Sequence, residues 1–533
     1  NSKQNTSVFG LSFGEKAIFL CSQKRQIVFV SNSLADGIKL SEQMKHFGKT
    51  CKTIFSAPDS FFALGSNTYG ENVISSVDAF TNLVQNKVDC LVVSPMALMQ
   101  KYAKKEIFKQ AILSLKTEQT IKIQQLRQHL INIGYRRVDI VSKPAEFSVN
   151  GDILTIYDIL EKNPYKIEFF DDLIETISHI NIETFKRIDE LKKITIHPMS
   201  TFVFDEKESE SVYKNIKADF ESLEKSLDVN EAINLRTNFE DFKVNFEAKN
   251  FNYVQNYIIP YASFGRLTDY IDDDAIIVFD DVKLVYDTIK NEYLNFEELY
   301  GQVKDSGSVL TGQKNFYIDS SNVFDFSHQL LSFQHITTAN RIFSPKFVDS
   351  FKSSSTTNYF GNFDLFFEDM KYYLEFNNTV VVFAGSEKVR DALLELLAKN
   401  NVNCCAVEDE NIENQSVNIS SLSLPYGAIF VEDKFVVVGT KELLKKSDNK
   451  KLVSTNKKDV FTMPKIGDYV VHETHGIGLC VGIEKMKFSD YEKDYIILEY
   501  AGGDKLYLPT EQIGLISAYV SGSGAPKLNK LGS

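Results

Sequence analysis

At 533 residues the chain is too long for one core, and roughly 150 residues per domain points to three to five domains. Hydrophobic content is 43%, yet no apolar run approaches the ~18 residues of a bilayer span, so a membrane anchor is excluded and a soluble, cytoplasmic, globular chain is expected. The net charge of −13 argues against a protein that wraps DNA, because phosphate contacts draw on concentrated Lys and Arg.

The first residue is Asn, and no signal-peptide order of charged, apolar and small residues follows, so the chain reads as an excised or processed part of a longer protein. Six cysteines, Cys21, Cys51, Cys90, Cys404, Cys405 and Cys480, sit mostly in apolar strand-like runs without CxxC spacing. They read as reduced thiols, and neither a disulfide nor a metal site is expected.

Over the first ~115 residues short apolar runs alternate with helical patterns. Gln26–Ser31 precedes a helix near Leu34 to Phe47, and Val88–Ser94 precedes one from Met96 to Lys104. Strands apolar throughout belong to a parallel sheet covered on both faces, the style of a nucleotide-binding domain. A phosphate loop GxxxxGK[ST] would fall on Gly10–Ala17 and fails there. With Lys16 as the phosphate lysine, Glu15 stands where a glycine must let amides approach the phosphates, and Ala17 where a hydroxyl must hold magnesium.

From Gly134 to Asp172 the pattern changes to period two. Glu146–Tyr157 predicts a hairpin turning at Asn150-Gly151, with Lys166–Phe170 as a neighbouring strand. Phe169 and Phe170 are consecutive on that strand, so one packs inward and the other faces out. From Glu206 to about Asn250 an amphipathic helical segment carries Val212, Ile216, Phe220 and Leu223 on its apolar stripe. Strands return beyond Tyr253 and complete the first sheet, ending near Thr338. Ala275–Asp281 imitates a Walker B strand ending on Asp280 and Asp281, but an apolar strand followed by solvated acids is common without a nucleotide. Ser353, Ser354 and Ser355 mark a boundary, after which Thr379–Ala384 and a helix Glu387 to Lys399 announce a small α/β domain.

Lys441 to Lys458 is Lys-rich but interrupted by Ser447, Asp448, Asn449 and Ser454, the composition of a solvated linker rather than a nucleic-acid patch. Beyond it, Gly467–His472, His475–Gly478, Asp494–Tyr500, Ala501–Asp504 and Lys505–Pro509 alternate β-branched and aromatic residues between Gly-rich turns, predicting a small, strongly bent antiparallel sheet. His472 and His475 are three apart at a turn, not the i, i+4 helical pair of a zinc motif. With no nucleophile or acid–base pair, this is a docking module.

These residues carry a resemblance. The C-terminal pattern, closed by Ala525–Gly532, resembles the RNA polymerase interaction domain of the Mfd family of bacterial transcription-repair coupling factors, and more distantly the CarD regulators. Gly134–Asp139, Glu146–Tyr157 and Tyr165–Asp172 resemble the second domain of UvrB and its counterpart in the Mfd family, the surface by which both bind UvrA. One departure stands out: Asn150 occupies the family's arginine position, which removes a charged partner from the UvrA contact. The resemblance places UvrA contacts on Lys166 and Phe170, and an RNA polymerase β subunit contact on Met486 next to Lys485, at an exposed strand edge that pairs with the β subunit.

The resemblance implies a multidomain α/β chain: a degenerate helicase-like parallel-sheet domain with an inserted UvrA-binding β domain, a small α/β domain, and a C-terminal CarD/Tudor-like small β barrel. The expected division is 1–117 with 203–340, 118–202 as the insertion, 341–445, a linker at 446–460, and 461–533 as the polymerase module. The chain itself would hold no cofactor and perform no catalysis. ATP and magnesium would belong to motor domains beyond Ser533, which would also make most of the double-stranded DNA contact, and a further C-terminal domain would mask the UvrA surface. Two other readings compete: an active UvrB-like helicase, which needs an intact phosphate loop and an aromatic hairpin, and a CarD-like transcription regulator.

Overall fold

The structure, a computed structural model, describes residues 5–55, 62, 71–334, 343–407, 411–443, 467–472, 476–488, 491–501, 505–509 and 516–518. The expected linker 446–460, His475, Gly502–Asp504 and Ala525–Gly532 lie outside them. Contacts divide the chain into two compact units, 1–446 and 447–533.

The first unit opens with strands Thr6–Phe9 (β1), Ile27–Val30 (β2), Cys51–Ile54 (β3) and Cys90–Val93 (β4), and with helices Phe13–Cys21 (α1) and Leu34–His46 (α2) between the first three. A second group follows: Leu113–Lys116 (β5), Arg136–Arg137 (β6), Glu146–Asn150 (β7), Ile153–Ile156 (β8), Tyr165–Phe170 (β9), Leu173–Ile180 (β10), Arg187–Glu190 (β11) and Lys193–Ile196 (β12). The chain then returns through Ile276–Asp280 (β13), Gln329–Gln334 (β14) and Phe347–Ser350 (β15) to the sheet it left, whose order is β15-β1-β14-β13-β2-β4-β3 with every neighbour parallel.

The apolar runs explain themselves in this sheet. Val28, Val30, Leu91, Val93, Ile277 and Phe279 pack into one core, while Ile27, Phe29, Cys90, Val92, Ile276 and Val278 pack into another on the opposite face. Alternate side chains leave a strand on opposite sides, so a strand covered on both faces must be apolar at every position.

One expectation is corrected. The helix from Met96 to Lys104 is a short one, Pro95–Met99. Beyond it Tyr102 and Gly265 exchange backbone hydrogen bonds (3.0 and 2.8 Å), which withdraws the tyrosine's amide and carbonyl from any helix. The amphipathic segment is two helices, Ser209–Glu224 and Val229–Glu247. Asp228 starts the second in a reciprocal capping box with Glu231. Strand β15 pairs with β1 in the first sheet.

The second group forms a six-stranded sheet, β11-β10-β9-β8-β7-β6, and β5 pairs with β12 beside it. Their common core includes Leu115, Phe147, Leu154, Ile156, Ile167, Phe169, Ile174 and Ile194. A third sheet is built from Ser353–Ser354 (β16), Thr379–Phe383 (β17), Cys404–Ala406 (β18), Val417–Ser420 (β19), Ala428–Phe430 (β20) and Phe435–Val438 (β21), in the order β16-β20-β21-β17-β19-β18, with helix Glu387–Lys399 packed on it.

The second unit carries Tyr469–His472 (β22), Gly476–Phe488 (β23), Tyr491–Glu499 (β24), Lys505–Pro509 (β25) and Ile516–Ala518 (β26), ordered β25-β24-β23-β22-β26 and antiparallel throughout. Among the described residues no pairing joins β25 to β26. A bulge between Cys480 and Gly482 bends β23. Gly478 lies against the buried ring of Tyr500, where a Cβ would meet ring carbon at 3.1 Å. No described helix is long and apolar enough to cross a membrane.

Candidate interaction surfaces

β9 reads Tyr-Lys-Ile-Glu-Phe-Phe, and its burial alternates as its geometry demands: Tyr165, Ile167 and Phe169 face the core, while Lys166, Glu168 and Phe170 face out. Phe169 is 5% exposed and Phe170 70%. Leu173, directly opposite Phe170 across the β9–β10 turn, is also exposed, at 39%. Directly opposed residues of an antiparallel pair share a face, so the two form one apolar knob at the turn.

Behind the knob lies a charged cluster. The Lys166 ammonium donates to Glu168 Oε1 at 2.6 Å. Glu168 Oε2 accepts from the Thr176 hydroxyl at 2.5 Å and from Arg187 Nη2 on β11 at 3.0 Å. These partners, Lys166 first, hold the Glu168 carboxyl below its ordinary range. Asn150 occupies the same cross-strand row, paired with Ile153, which is paired in turn with Glu168. It is exposed at the turn, and Gly151 beside it takes φ +59° in open space, so the glycine is required by conformation rather than by room. Lys166, Phe170 and Asn150 therefore share one face. Glu168, Arg187 and Leu173 were missing from the sequence-based set. The alternation of Lys166, Glu168 and Phe170 could have revealed Glu168, whereas no local signal connects Arg187.

In the first sheet, the segment aligned with a phosphate loop is occupied by its own neighbours. Glu15 is buried and accepts from the Ser12 amide (3.0 Å) and hydroxyl (3.2 Å), closing a capping box on α1. The Lys16 ammonium lies 2.8 Å from Asp280. Asp281, at φ +67°, caps the helix Val282–Val303 by accepting from the Lys283 and Leu284 amides. The third sheet closes over the start of α1. The Ser12 amide donates to Ser353 Oγ at 2.7 Å, Phe13 meets Tyr426 edge-on at 5.2 Å, and Gln43 on α2 exchanges hydrogen bonds with the Tyr426 backbone. A Cβ on Gly14 would lie 2.2 Å from the Gly427 carbonyl oxygen, so two backbones touch at the start of α1.

In the second unit, Lys485 and Met486 lie on β23, paired in register with Asp494 and Lys493 of β24. β22 reaches only Gly476–Leu479, and β25 pairs only with Tyr495–Glu499. Among the described residues the outer half of the β23–β24 hairpin thus has a ladder on one side of each strand only. His472 pairs with Gly476 in the β22–β23 ladder.

Comparison with known proteins gives these surfaces a context. The family model described as UvrB interaction domain matches residues 113–202, and that described as CarD-like/TRCF RID domain matches 465–520. The first spans β5 to β12, which pair with each other. The chain is 25% identical over 544 residues to the transcription-repair-coupling factor of Staphylococcus haemolyticus (strain JCSC1435), covering 99% of this chain and 46% of that protein. It is 24% identical, with the same coverage, to the factors of Staphylococcus epidermidis (strain ATCC 12228 / FDA PCI 1200) and Staphylococcus aureus (strain MRSA252). The chain spans about half the length of the curated relatives it matches, 46% in each case. With a UvrB interaction domain, a CarD-like/TRCF RID domain and a likeness to these factors over 99% of its length, the chain is Mfd-like.

Proposed function

We propose that this chain is the adaptor part of a transcription-repair coupling factor: it grips UvrA through the β9 face and the RNA polymerase β subunit through the β23–β24 hairpin. The observation that carries the reading is the outward Phe170, 70% exposed beside Lys166 within the segment matched to the UvrB interaction domain. An exposed aromatic next to a cation has the composition of an interface hot spot. The hairpin supports the second grip, because a strand with an unpaired edge accepts a partner's strand by main-chain hydrogen bonds while side chains such as Lys485 and Met486 select it. The Lys16–Asp280 pair, the Glu15 cap and the Gly14–Gly427 contact support a first sheet that binds no nucleotide. ATP turnover, magnesium and most DNA contact then belong to a translocase in the remainder of the longer protein, which displaces stalled polymerase while this part recruits the excision machinery.

The test is a binding assay on the purified chain with UvrA and a β-subunit fragment. Phe170→Ala is expected to weaken UvrA at least about tenfold, a hot-spot loss of about 1.4 kcal/mol or more, and to leave the β-subunit fragment bound. Met486→Arg is expected to do the reverse, and the wild-type chain to show no ATP turnover. Retention of both partners by both variants, or ATP hydrolysis by the chain itself, sinks the proposal.

A further inference from the structure

We infer that Arg187, on the edge strand β11, is a further UvrA-contact residue, acting with Lys166 as a two-cation clamp for a carboxylate of the partner. This inference rests on the β9 face being the UvrA surface. The geometry of the clamp is already displayed by the chain's own Glu168. One oxygen takes the Lys166 ammonium at 2.6 Å, the other takes Arg187 Nη2 at 3.0 Å, and the Thr176 hydroxyl completes the set. The arrangement is that of a built carboxylate site, with donors converging from three neighbouring strands onto a single acceptor group.

The site is accessible. The Arg187 side chain is 44% exposed and that of Lys166 30%, and all four residues of β11 are exposed. The second guanidinium nitrogen, Nη1, makes only a long 3.7 Å approach to Glu190, so donors remain for an incoming acid. Phe170 lies two residues along β9 from Glu168 on the same face, about 7 Å by strand rise, with Leu173 opposite it. The partner surface that fits is therefore an acidic side chain flanked by an apolar hollow, the first meeting Lys166 and Arg187 and the second receiving the Phe170–Leu173 knob. Glu168 sets the strength of the clamp. In the free chain it neutralises both cations, and an incoming carboxylate must share them.

The test is UvrA binding to the full chain, with the dissociation constant measured at low and moderate salt. Arg187→Gln keeps most of the aliphatic stem and a donor but removes the charge. It is expected to weaken UvrA roughly three- to tenfold at low salt and to flatten the salt dependence, because one screened charge contact is lost. Glu168→Gln unmasks the cations and is expected to tighten binding by a similar factor at low salt, with a steeper salt dependence. Equal weakening by Arg187→Gln at both salt concentrations would mark a structural role and overturn the inference. If Phe170→Ala weakens UvrA while Arg187→Gln does not, the UvrA face stands and the clamp falls. If neither variant weakens UvrA, the face and the clamp fall together.

Discussion

Phe169 and Phe170 are the same residue type, one position apart, and differ in everything they touch. Phe169 fills the core shared with Ile167, Ile174 and Leu154, so Phe169→Ala removes buried carbon and leaves a cavity, a loss of about 3–5 kcal/mol. Phe170→Ala removes a ring that solvent already surrounds and is expected to change stability by less than about 0.5 kcal/mol. Urea unfolding of the two variants checks the contrast, and a large loss at Phe170 would mean that the ring is structural. That these two side chains part company follows from the period of a strand alone. The charge balance around them does not: Arg187 reaches Glu168 from a different strand, and only the register of β10 with both β9 and β11 brings them together.

Elements were legible where their signals are local. The Asn150-Gly151 hairpin, the helix Glu387–Lys399 and the strand Thr379–Phe383 follow from turn chemistry, capping and apolar runs. The shortened helix at Pro95–Met99 was not legible, because Gly265, far along the chain, claims the backbone of Tyr102. The break in the long helical segment was legible in principle, since Asp228 and Glu231 carry the spacing of a capping box. The β23–β24 hairpin offers a test at this scale. Along β23 successive amides point alternately toward β24 and away from it, so of Lys485→Pro and Met486→Pro one breaks the internal ladder and the other removes only an outward donor. The variant that keeps a folded unit is expected to lose β-subunit binding at least about tenfold, a difference of about 1.4 kcal/mol. Unchanged binding by that variant would mean that the outer edge of β23 is not the contact.

For the whole molecule, the two proposed grips lie in separate compact units, 1–446 and 447–533. Substitutions that share no partners add. The double variant Phe170→Ala, Met486→Arg is therefore expected to lose both partners by the product of the single effects, and saturation with UvrA is expected to leave the affinity of the chain for a β-subunit fragment unchanged. Titration of one partner in the presence of the other checks this, and a shift beyond about threefold would reveal coupling of about 0.6 kcal/mol or more. The amino-acid sequence by itself determined the α/β class, the two motif-bearing segments and the failure of Gly10–Ala17 to match a phosphate loop, because each is written in residues close along the chain. Tertiary structure alone decided that Lys16 meets Asp280, that Gly427 closes on Gly14 and that Arg187 shares Glu168 with Lys166. Those contacts join residues far apart in sequence, and their pairing is set by sheet order and register, which no local pattern encodes.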